Sequence, residues 1–255
     1  MRTLSFFELL ERSGYALGDR WSHVWQWNRK LNARRLAESV GVPTPRLIQV
    51  GELDELNPPD MPFVLKSDEG DFSLSTFILE PVKGGYRDVR RDITASWSEW
   101  LLTAESKLGG VHKHYVAAGY DSPRIDGPWL IEEYLPDAED WKCYAFDGEV
   151  MVVRQIVLPE RTSRWWGSDW TDIGNIAPNR TYHPTKTAPP RDPEAVIDTA
   201  SKVSKALGVP FCRVDVYDGG IFGEITPRPG GKVRFVKEWD RRMAAAWRRA
   251  LERLS

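Results

Sequence analysis

The stretch Phe211-Cys-Arg-Val-Asp-Val-Tyr-Asp-Gly-Gly-Ile-Phe-Gly-Glu-Ile-Thr-Pro-Arg-Pro-Gly-Gly231 carries more information about this chain than any other. It contains two short runs rich in β-branched and aromatic residues, which favour strands. Between them lies Asp218-Gly219, a dipeptide typical of tight hairpin turns. The pattern predicts two antiparallel strands joined by that turn.

Polar residues occupy alternate positions in both predicted strands. Because alternate residues share a face, Arg213, Asp215 and Tyr217 lie on one side of the first strand. Glu224 and Thr226 lie on one side of the second. If the two faces coincide, two carboxylates, a hydroxyl and a guanidinium converge, and carboxylate oxygens are ligands that Mg²⁺ prefers. The alternative is a solvated hairpin whose charges face water.

The overall composition narrows the class of protein. The chain has 255 residues, enough for one large domain or two lobes. Its formal net charge of -2 argues against a general nucleic-acid binder. No apolar run approaches the roughly 18 residues of a membrane span, and the start of the chain does not resemble a signal peptide. We therefore expect a cytoplasmic protein without nucleic-acid or membrane partners, whose cysteines, Cys143 and Cys212, are buried reduced thiols.

Helical and strand patterns alternate irregularly along the chain, which favours an α+β fold with largely antiparallel sheets. Apolar spacing and stop signals predict helices over 28–41, 95–108, 193–207 and 235–254. Strands are expected over 46–50, 61–66, 72–80, 128–135, 141–146 and 149–158, besides the hairpin.

Residues 159–192 form a long polar segment, which is typical of a functional or disordered loop. It holds the cluster Trp165, Trp166 and Trp170, as well as cationic side chains that favour an anionic ligand. One interpretation is a lid that closes over an occupied site and excludes water. The alternative is that these tryptophans pack permanently on the rest of the protein. The cationic residues are Arg161, Arg164, Arg180 and Lys186.

Four patches follow one another in a fixed order along the chain. They are Asn28-Arg-Lys30, then Phe63-Val-Leu-Lys66, then Trp129-Leu-Ile-Glu-Glu-Tyr-Leu135 followed by Glu139-Asp140, and last the hairpin ending in Pro227-Arg-Pro-Gly-Gly231. This ordered series resembles the ATP-grasp superfamily, and within it the TupA-like ligases linked to teichuronopeptide synthesis. The resemblance covers about residues 28–231.

The resemblance implies a two-lobed ATP-grasp fold with the nucleotide cleft between the lobes. Residues 1–50 would be a short N-terminal segment with a helix, residues 51–135 the small lobe, and residues 136–255 the large lobe carrying the metal hairpin.

The same resemblance assigns the nucleotide contacts. Lys30 and Lys66 would hold phosphates as point charges, and an ammonium at a strand end would contribute little to the core. The stretch Ile131–Leu135 resembles the interlobe hinge that reads adenine, so the expected contacts there are Glu132, Glu133 and Leu135. Glu132 would pair with the adenine amino group or with a lysine. Either Glu139 or Asp140 would hold the ribose.

The hairpin resembles the family's metal and catalytic site. Asp215 and Glu224 match magnesium ligands, with Thr226 at a position where many members carry Asn. Arg213 matches the arginine that stabilises charge on the transferred phosphoryl or acyl group. Arg228 would contact the substrate.

The implied activity is an ATP-dependent carboxylate–amine ligase that uses ATP and Mg²⁺. A substrate carboxylate would attack the γ-phosphorus to give an acyl-phosphate and ADP, and an amine would then displace phosphate. Two alternatives stay open. One is a small-molecule kinase on the same fold, and the other is a non-catalytic nucleotide-binding module, favoured by Thr226 and by the carboxylates of Asp68-Glu-Gly-Asp71.

Overall fold

The computed structural model describes residues 4–13, 26–69, 75–117, 127–136, 138–157, 162–182, 188–227 and 233–255. The chain divides into two compact units. The smaller is Pro45–Pro136, and the larger combines Met1–Thr44 with Asp137–Ser255. The described residues of the first 44 are thus grouped with the C-terminal part of the chain.

The elements run in the order α1 Phe6–Ser13, α2 Lys30–Ser39, β1 Leu47–Gly51, β2 Phe63–Ser67, β3 Thr76–Val82, β4 Gly85–Asp88, β5 Ile93–Ala95, α3 Trp97–Ala117, β6 Trp129–Glu133, β7 Asp140–Phe146, β8 Glu149–Val157, β9 Thr162–Gly167, α4 Pro193–Leu207, β10 Cys212–Tyr217, β11 Ile221–Thr226 and α5 Lys237–Arg253. No helix of the described residues has the length and apolar character to cross a membrane.

Each unit is built on one antiparallel sheet. The smaller unit has the strand order β1-β6-β2-β3-β4-β5, and the larger has β11-β10-β7-β8-β9. The prediction of an α+β fold with largely antiparallel sheets is confirmed.

The core of the smaller unit lies on one face of its sheet. On β2, Phe63 and Leu65 are fully buried, and they belong to one apolar cluster with Trp100 of α3. Alternation along the strand places Lys66 on the opposite face. The sequence pattern stops α3 at Leu108, but the helix continues through Gly109 and Gly110 to Ala117 despite the low helix propensity of glycine.

The sheet of the larger unit packs on both faces. One face buries Trp141, Cys143 and Val214 in a cluster with residues of α2 and α4. The other face buries Tyr144 and Phe146 in a cluster with residues of α1 and α5. The two cysteines are buried and free, as predicted, and desolvation raises the pKa of the Cys212 thiol to about 12.

The segment 159–192 is not the long loop that its polar composition suggests. Residues 162–167 form strand β9, which pairs with β8 and is buried along its whole length. Trp165 is 0% exposed and Trp166 is 4% exposed, while Trp170 packs against the cluster around Trp141. A strand buried on both faces shows no apolar–polar alternation, so the sequence pattern misses it. The lid interpretation is wrong for this part, and the permanent packing of the tryptophans is the correct alternative.

Candidate active site

The hairpin forms as predicted, and its turn is one residue longer than expected. Tyr217 and Ile221 are the terminal partners, so the turn comprises Asp218, Gly219 and Gly220. Gly219 and Gly220 have φ values of 78° and 74°, a conformation that glycine adopts at little cost.

A β-bulge at Gly223 brings the polar faces of the two strands together. Val216 pairs with Phe222, but the next pair is Asp215 with Glu224, so Gly223 has no partner across the ladder. Without this extra residue, the regular register would place Glu224 opposite Val214, on the other face of the sheet. The bulge is therefore the reason that both carboxylates share a face.

A row of charged residues crosses four strands of this sheet. Asp215 pairs with Glu224 on one side and with Lys142 on the other, and Lys142 pairs with Arg154 on β8. Residues that are directly opposite one another in antiparallel strands point to the same side. The neighbouring row contains Thr226, Arg213 and Tyr144.

Arg213 is the centre of the cluster. Its Nε donates to Asp215 Oδ1 at 2.5 Å, and its Nη2 donates to Asp215 Oδ2 at 2.8 Å. The same Nη2 reaches Glu224 Oε1 at 3.1 Å and Thr226 Oγ1 at 2.8 Å. The structure thus brings together all four hairpin residues that the sequence predicts.

Lys142 is a member of the cluster to which the sequence pattern assigns no role. Its Nζ lies 2.6 Å from Asp140 Oδ2 and also forms an ion pair with Asp215. The signal in the sequence was its position two residues after Asp140, which places both side chains on the same face of β7.

The protonation of the cluster follows from this close pairing. Burial alone would raise the pKa of Asp215, but Arg213 and Lys142 outweigh burial and lower it to about 2. Burial, and after it the charge of Asp215, raises the pKa of Glu224. Burial also raises the pKa of Asp140, against the opposing effect of Lys142. Asp215 is accordingly the most firmly ionised of the three carboxyl groups.

The remaining predicted residues of the larger unit occupy the margins of the cluster. Lys30 is buried at the start of α2, and its charge acts on Glu224 to oppose the rise in that pKa. Glu139 Oε2 accepts a hydrogen bond from Gln155 Nε2 at 2.6 Å, whereas Asp140 contacts Lys142. Asp140 therefore belongs to the cluster and Glu139 does not.

The smaller unit has its own buried ion pair. Lys66 Nζ lies 2.5 Å from Glu132 Oε2, with side chains 13% and 6% exposed. A lysine is one of the two partners predicted for Glu132, and Lys66 forms that pair. Glu133 donates its backbone N–H to Arg46 O, and Leu135 follows the end of β6, half-buried. Because Lys66 neutralises a buried carboxylate, it matters more for folding than a solvated strand-end ammonium would.

Several predicted contacts lie outside the described residues, and one predicted loop lies partly outside them. Arg228, Arg161 and Lys186 are among them, as are Gly70 and Asp71 of the acidic loop. Of the other two cationic residues in 159–192, Arg164 is buried and forms an ion pair with Asp172. Arg180 is half-buried, close enough to Arg154 for their charges to interact.

The hairpin carboxylates have the donor chemistry of a magnesium site. The Glu224 side chain is 45% exposed, so its carboxylate is accessible although the surrounding protein desolvates it enough to raise its pKa. Both oxygens of Asp215, in contrast, accept hydrogen bonds from Arg213. Within the described ranges, no group of three or more His, Cys, Asp or Glu residues is arranged to hold a metal. The residue types fit Mg²⁺, and Asp215 would have to exchange a cationic partner for the metal.

Known structures share this arrangement of sheets and helices. The D-alanine–D-alanine ligase of Bacillus anthracis, solved with ATP, has a TM-score of 0.50 and 16% identity over 89% of this chain and 64% of the ligase. That of Helicobacter pylori has a TM-score of 0.51 and 14% identity over 89% of this chain and 60% of the ligase. The chain thus spans less than two thirds of the length of these ligases, and at this identity the likeness concerns the fold.

The match to a family model defines this chain as an ATP-grasp protein. The model of the family described as TupA-like ATPgrasp matches residues 23–247, and the chain belongs to this family. No curated protein matches the chain significantly.

Proposed function

We propose that this protein is an ATP-dependent ligase that joins a carboxylate to an amine through an acyl-phosphate, releasing ADP and phosphate. Membership of an ATP-grasp family supports the use of ATP. The observation that carries the proposal is the convergence of Arg213 with Asp215, Glu224 and Thr226 on one sheet face. The D-alanine–D-alanine ligases that share the fold provide the precedent for a ligase.

In this proposal Arg213 stabilises the negative charge that develops on the reacting group. Burial alone lowers the pKa of Arg213, but Asp215 and Glu224 more than compensate, so the guanidinium stays charged and held in place. A fixed positive charge that needs no reorganisation during the reaction is an effective way to stabilise a transition state. The tetrahedral oxyanion formed when the amine attacks is the species that Arg213 would stabilise.

The other residues bind and neutralise the nucleotide. Asp215 and Glu224, with Thr226 as a further oxygen donor, would hold magnesium, which when bound neutralises phosphate charge. In the smaller unit Lys66 would contact phosphates, and Glu132, Glu133 and Leu135 the adenine. Lys30 would supply a further phosphate contact, Glu139 or Asp140 a ribose contact, and Arg228 a substrate contact.

The test is a matrix of amino acids and small carboxylic acids, scored for ADP and phosphate release with ATP and Mg²⁺. Release that requires both an acid and an amine supports the ligase. A stable phosphorylated acid that forms without an amine would identify a kinase, and ATP binding without turnover would identify a non-catalytic module. In the productive mixture, Arg213→Lys should lower kcat by about 100-fold or more, as the loss of one oxyanion donor does. Arg242→Lys is the matched control because Arg242 is 53% exposed on α5.

A further inference from the structure

Arg154 is a charged residue on the same sheet face that the ligase proposal does not use. Its Nε and Nη2 both donate to Ser163 Oγ, at 2.9 Å and 2.7 Å, and its guanidinium lies 5.6 Å from the centre of the Trp165 ring. In the described part of the chain no carboxylate pairs with it, whereas Arg213 and Lys142 each contact at least two acidic residues. A neutral hydroxyl is thus the only hydrogen-bond acceptor that Arg154 has among the described residues.

A guanidinium with this arrangement has further N–H donors besides those that bind Ser163. Arginine carries five N–H groups, and both hydrogen bonds of Arg154 go to the same serine oxygen. Its flat donor edge matches the two oxygens of a carboxylate. Arg213, in contrast, already has three oxygen-bearing partners.

The Tyr144 hydroxyl, on the strand next to that of Arg154, is a second, independent observation that points to a ligand. Tyr144 is 1% exposed, and its hydroxyl has no hydrogen-bond partner among the described residues. Register places it diagonally from Arg154, because Lys142 pairs with Arg154 and Tyr144 pairs with Val152 two residues away. Diagonal neighbours on adjacent strands lie within reach of long side chains. A buried hydroxyl without a partner is costly, and a ligand oxygen would satisfy it.

The charges around Arg154 also favour an anion. Burial lowers the pKa of Arg154, and the positive charges of Arg180 and Arg213 lower it further, against the opposing effects of Tyr144 and Asp215. No carboxylate of the described residues pairs with Arg154 itself, so the charge of its guanidinium is open to an anion. A bound carboxylate would neutralise it.

We propose that Arg154 and the Tyr144 hydroxyl bind a non-reacting carboxylate of the acid substrate, with Arg180 adding attraction. This inference rests on the proposed ligase function and deepens it, because it commits the substrate to a second anionic group besides the carboxylate that reacts. Acids with two carboxylates are therefore the expected class.

The binding test does not depend on turnover. Malonate is titrated into the full-length protein at pH 7 and followed by calorimetry, with malonamide as the neutral analogue and inorganic phosphate as the alternative anion. Malonate should bind and malonamide should not. Arg154→Gln should weaken malonate binding at least tenfold, Arg154→Lys and Tyr144→Phe several-fold, and the surface control Arg242→Gln should leave it unchanged.

Variants that bind malonate as tightly as the parent protein would overturn the proposal, as would binding of phosphate alone or no malonate binding at all. If Arg154→Gln does not fold, the malonate affinities of Arg154→Lys and Tyr144→Phe provide the test, because both substitutions change the size of the side chain little. If the ligase proposal is wrong, the result is different: malonate binds, but no combination of acid and amine causes the release of ADP from ATP. Conversely, turnover of monocarboxylic acids whose KM is unchanged by Arg154→Lys would keep the ligase and reject the second carboxylate.

Discussion

Arg213 and Asp215, two residues apart on one strand, form a bidentate ion pair with N–O distances of 2.5 Å and 2.8 Å. The Asp215 carboxylate is 5% exposed and also contacts Lys142. Its charge is thus shared between two cations that it holds on the sheet face. Any metal that binds Asp215 must compete with these cations, which couples metal binding to the position of Arg213.

Asp215→Asn should destabilise the larger unit strongly. The substitution keeps the shape of the side chain but leaves Arg213 and Lys142 without their shared counter-ion in a buried site. Removing one partner from a buried ion pair typically costs about 3–5 kcal/mol. Urea unfolding of the purified variant measures this cost. Asp198→Asn is the matched control, because the Asp198–Lys202 pair is exposed, and it should change the free energy of unfolding by less than about 0.5 kcal/mol. Equal stability of the two variants would contradict the prediction.

The same ion pair should make stability depend on pH in the acid range. The pKa of Asp215 is lowered from 3.8 to about 2 in the folded protein, so the unfolded chain takes up the proton first as the pH falls. The contribution of Asp215 is therefore complete above about pH 4 and disappears as the pH falls through about 2, with a total on the order of 2 kcal/mol. The raised pKa of Glu224 has the opposite sign, because the folded protein takes up that proton first.

Urea midpoints of the parent protein and of Glu224→Gln, measured from pH 5 to pH 2, check this dependence. Removing the opposing titration should make the loss of stability with acid steeper in Glu224→Gln than in the parent. A parallel pair of profiles would show that Glu224 has the same pKa in the folded and unfolded states.

The four hairpin residues of the cluster could be predicted from the sequence, but the contact of Lys142 and the register of the hairpin could not. Alternation along each strand groups Arg213 with Asp215, and Glu224 with Thr226. Whether the two groups meet depends on Gly223, since one unpaired residue decides which face Glu224 occupies. Glycine within a strand often marks a bulge. The glycine alone does not determine which of its neighbours pair across the ladder.

Gly223→Ala should impair the site more than it impairs folding. A Cβ atom at this position would lie 3.0 Å from the backbone oxygen of Asp215, so the strands must separate slightly where the two carboxylates meet. We expect kcat/KM for ATP-dependent turnover to fall by tenfold or more, while the free energy of unfolding falls by only about 1–2 kcal/mol. Gly109→Ala is the control, because a Cβ there meets nothing within 4 Å and alanine favours the helix. Full activity of Gly223→Ala would show that the bulge tolerates a side chain.

Lys66→Met should weaken both ATP binding and folding, because it leaves the Glu132 carboxylate buried without its cation. The loss of stability should be about 3 kcal/mol, within the range for a broken buried pair. Adding Glu132→Gln removes the uncompensated charge, so the double variant should recover most of the stability. It should not recover ATP affinity if Lys66 contacts phosphates. Calorimetric titration with a non-hydrolysable ATP analogue separates the two effects, and unchanged affinity in the double variant would remove Lys66 from the nucleotide site.

The interpretation of 159–192 shows where composition misleads. Arg164 makes the segment look solvated, but this residue is 4% exposed, pairs with Asp172, and lies over the rings of Trp166 and Tyr182. Burial of the cation is possible because Asp172 and Tyr182 come from a part of the segment that folds back beside β9. Such long-range pairing leaves no local periodic signal in the sequence.

Strand β9 should therefore resist protease in the absence of any ligand. Its backbone is paired with β8 over the whole of 162–167, and Trp165 packs in the core with Tyr144 and Phe235. Limited proteolysis with mass spectrometry should find no cleavage within 162–167, with or without an ATP analogue and an acid. Trp165→Leu should lower the free energy of unfolding by about 2–4 kcal/mol, because it leaves a cavity between the sheet and its covering helices. Leu102→Ala, on the exposed face of α3 at 67% exposure, is the control and should change it by less than about 0.5 kcal/mol. Cleavage inside β9 that a bound nucleotide suppresses would instead restore the lid.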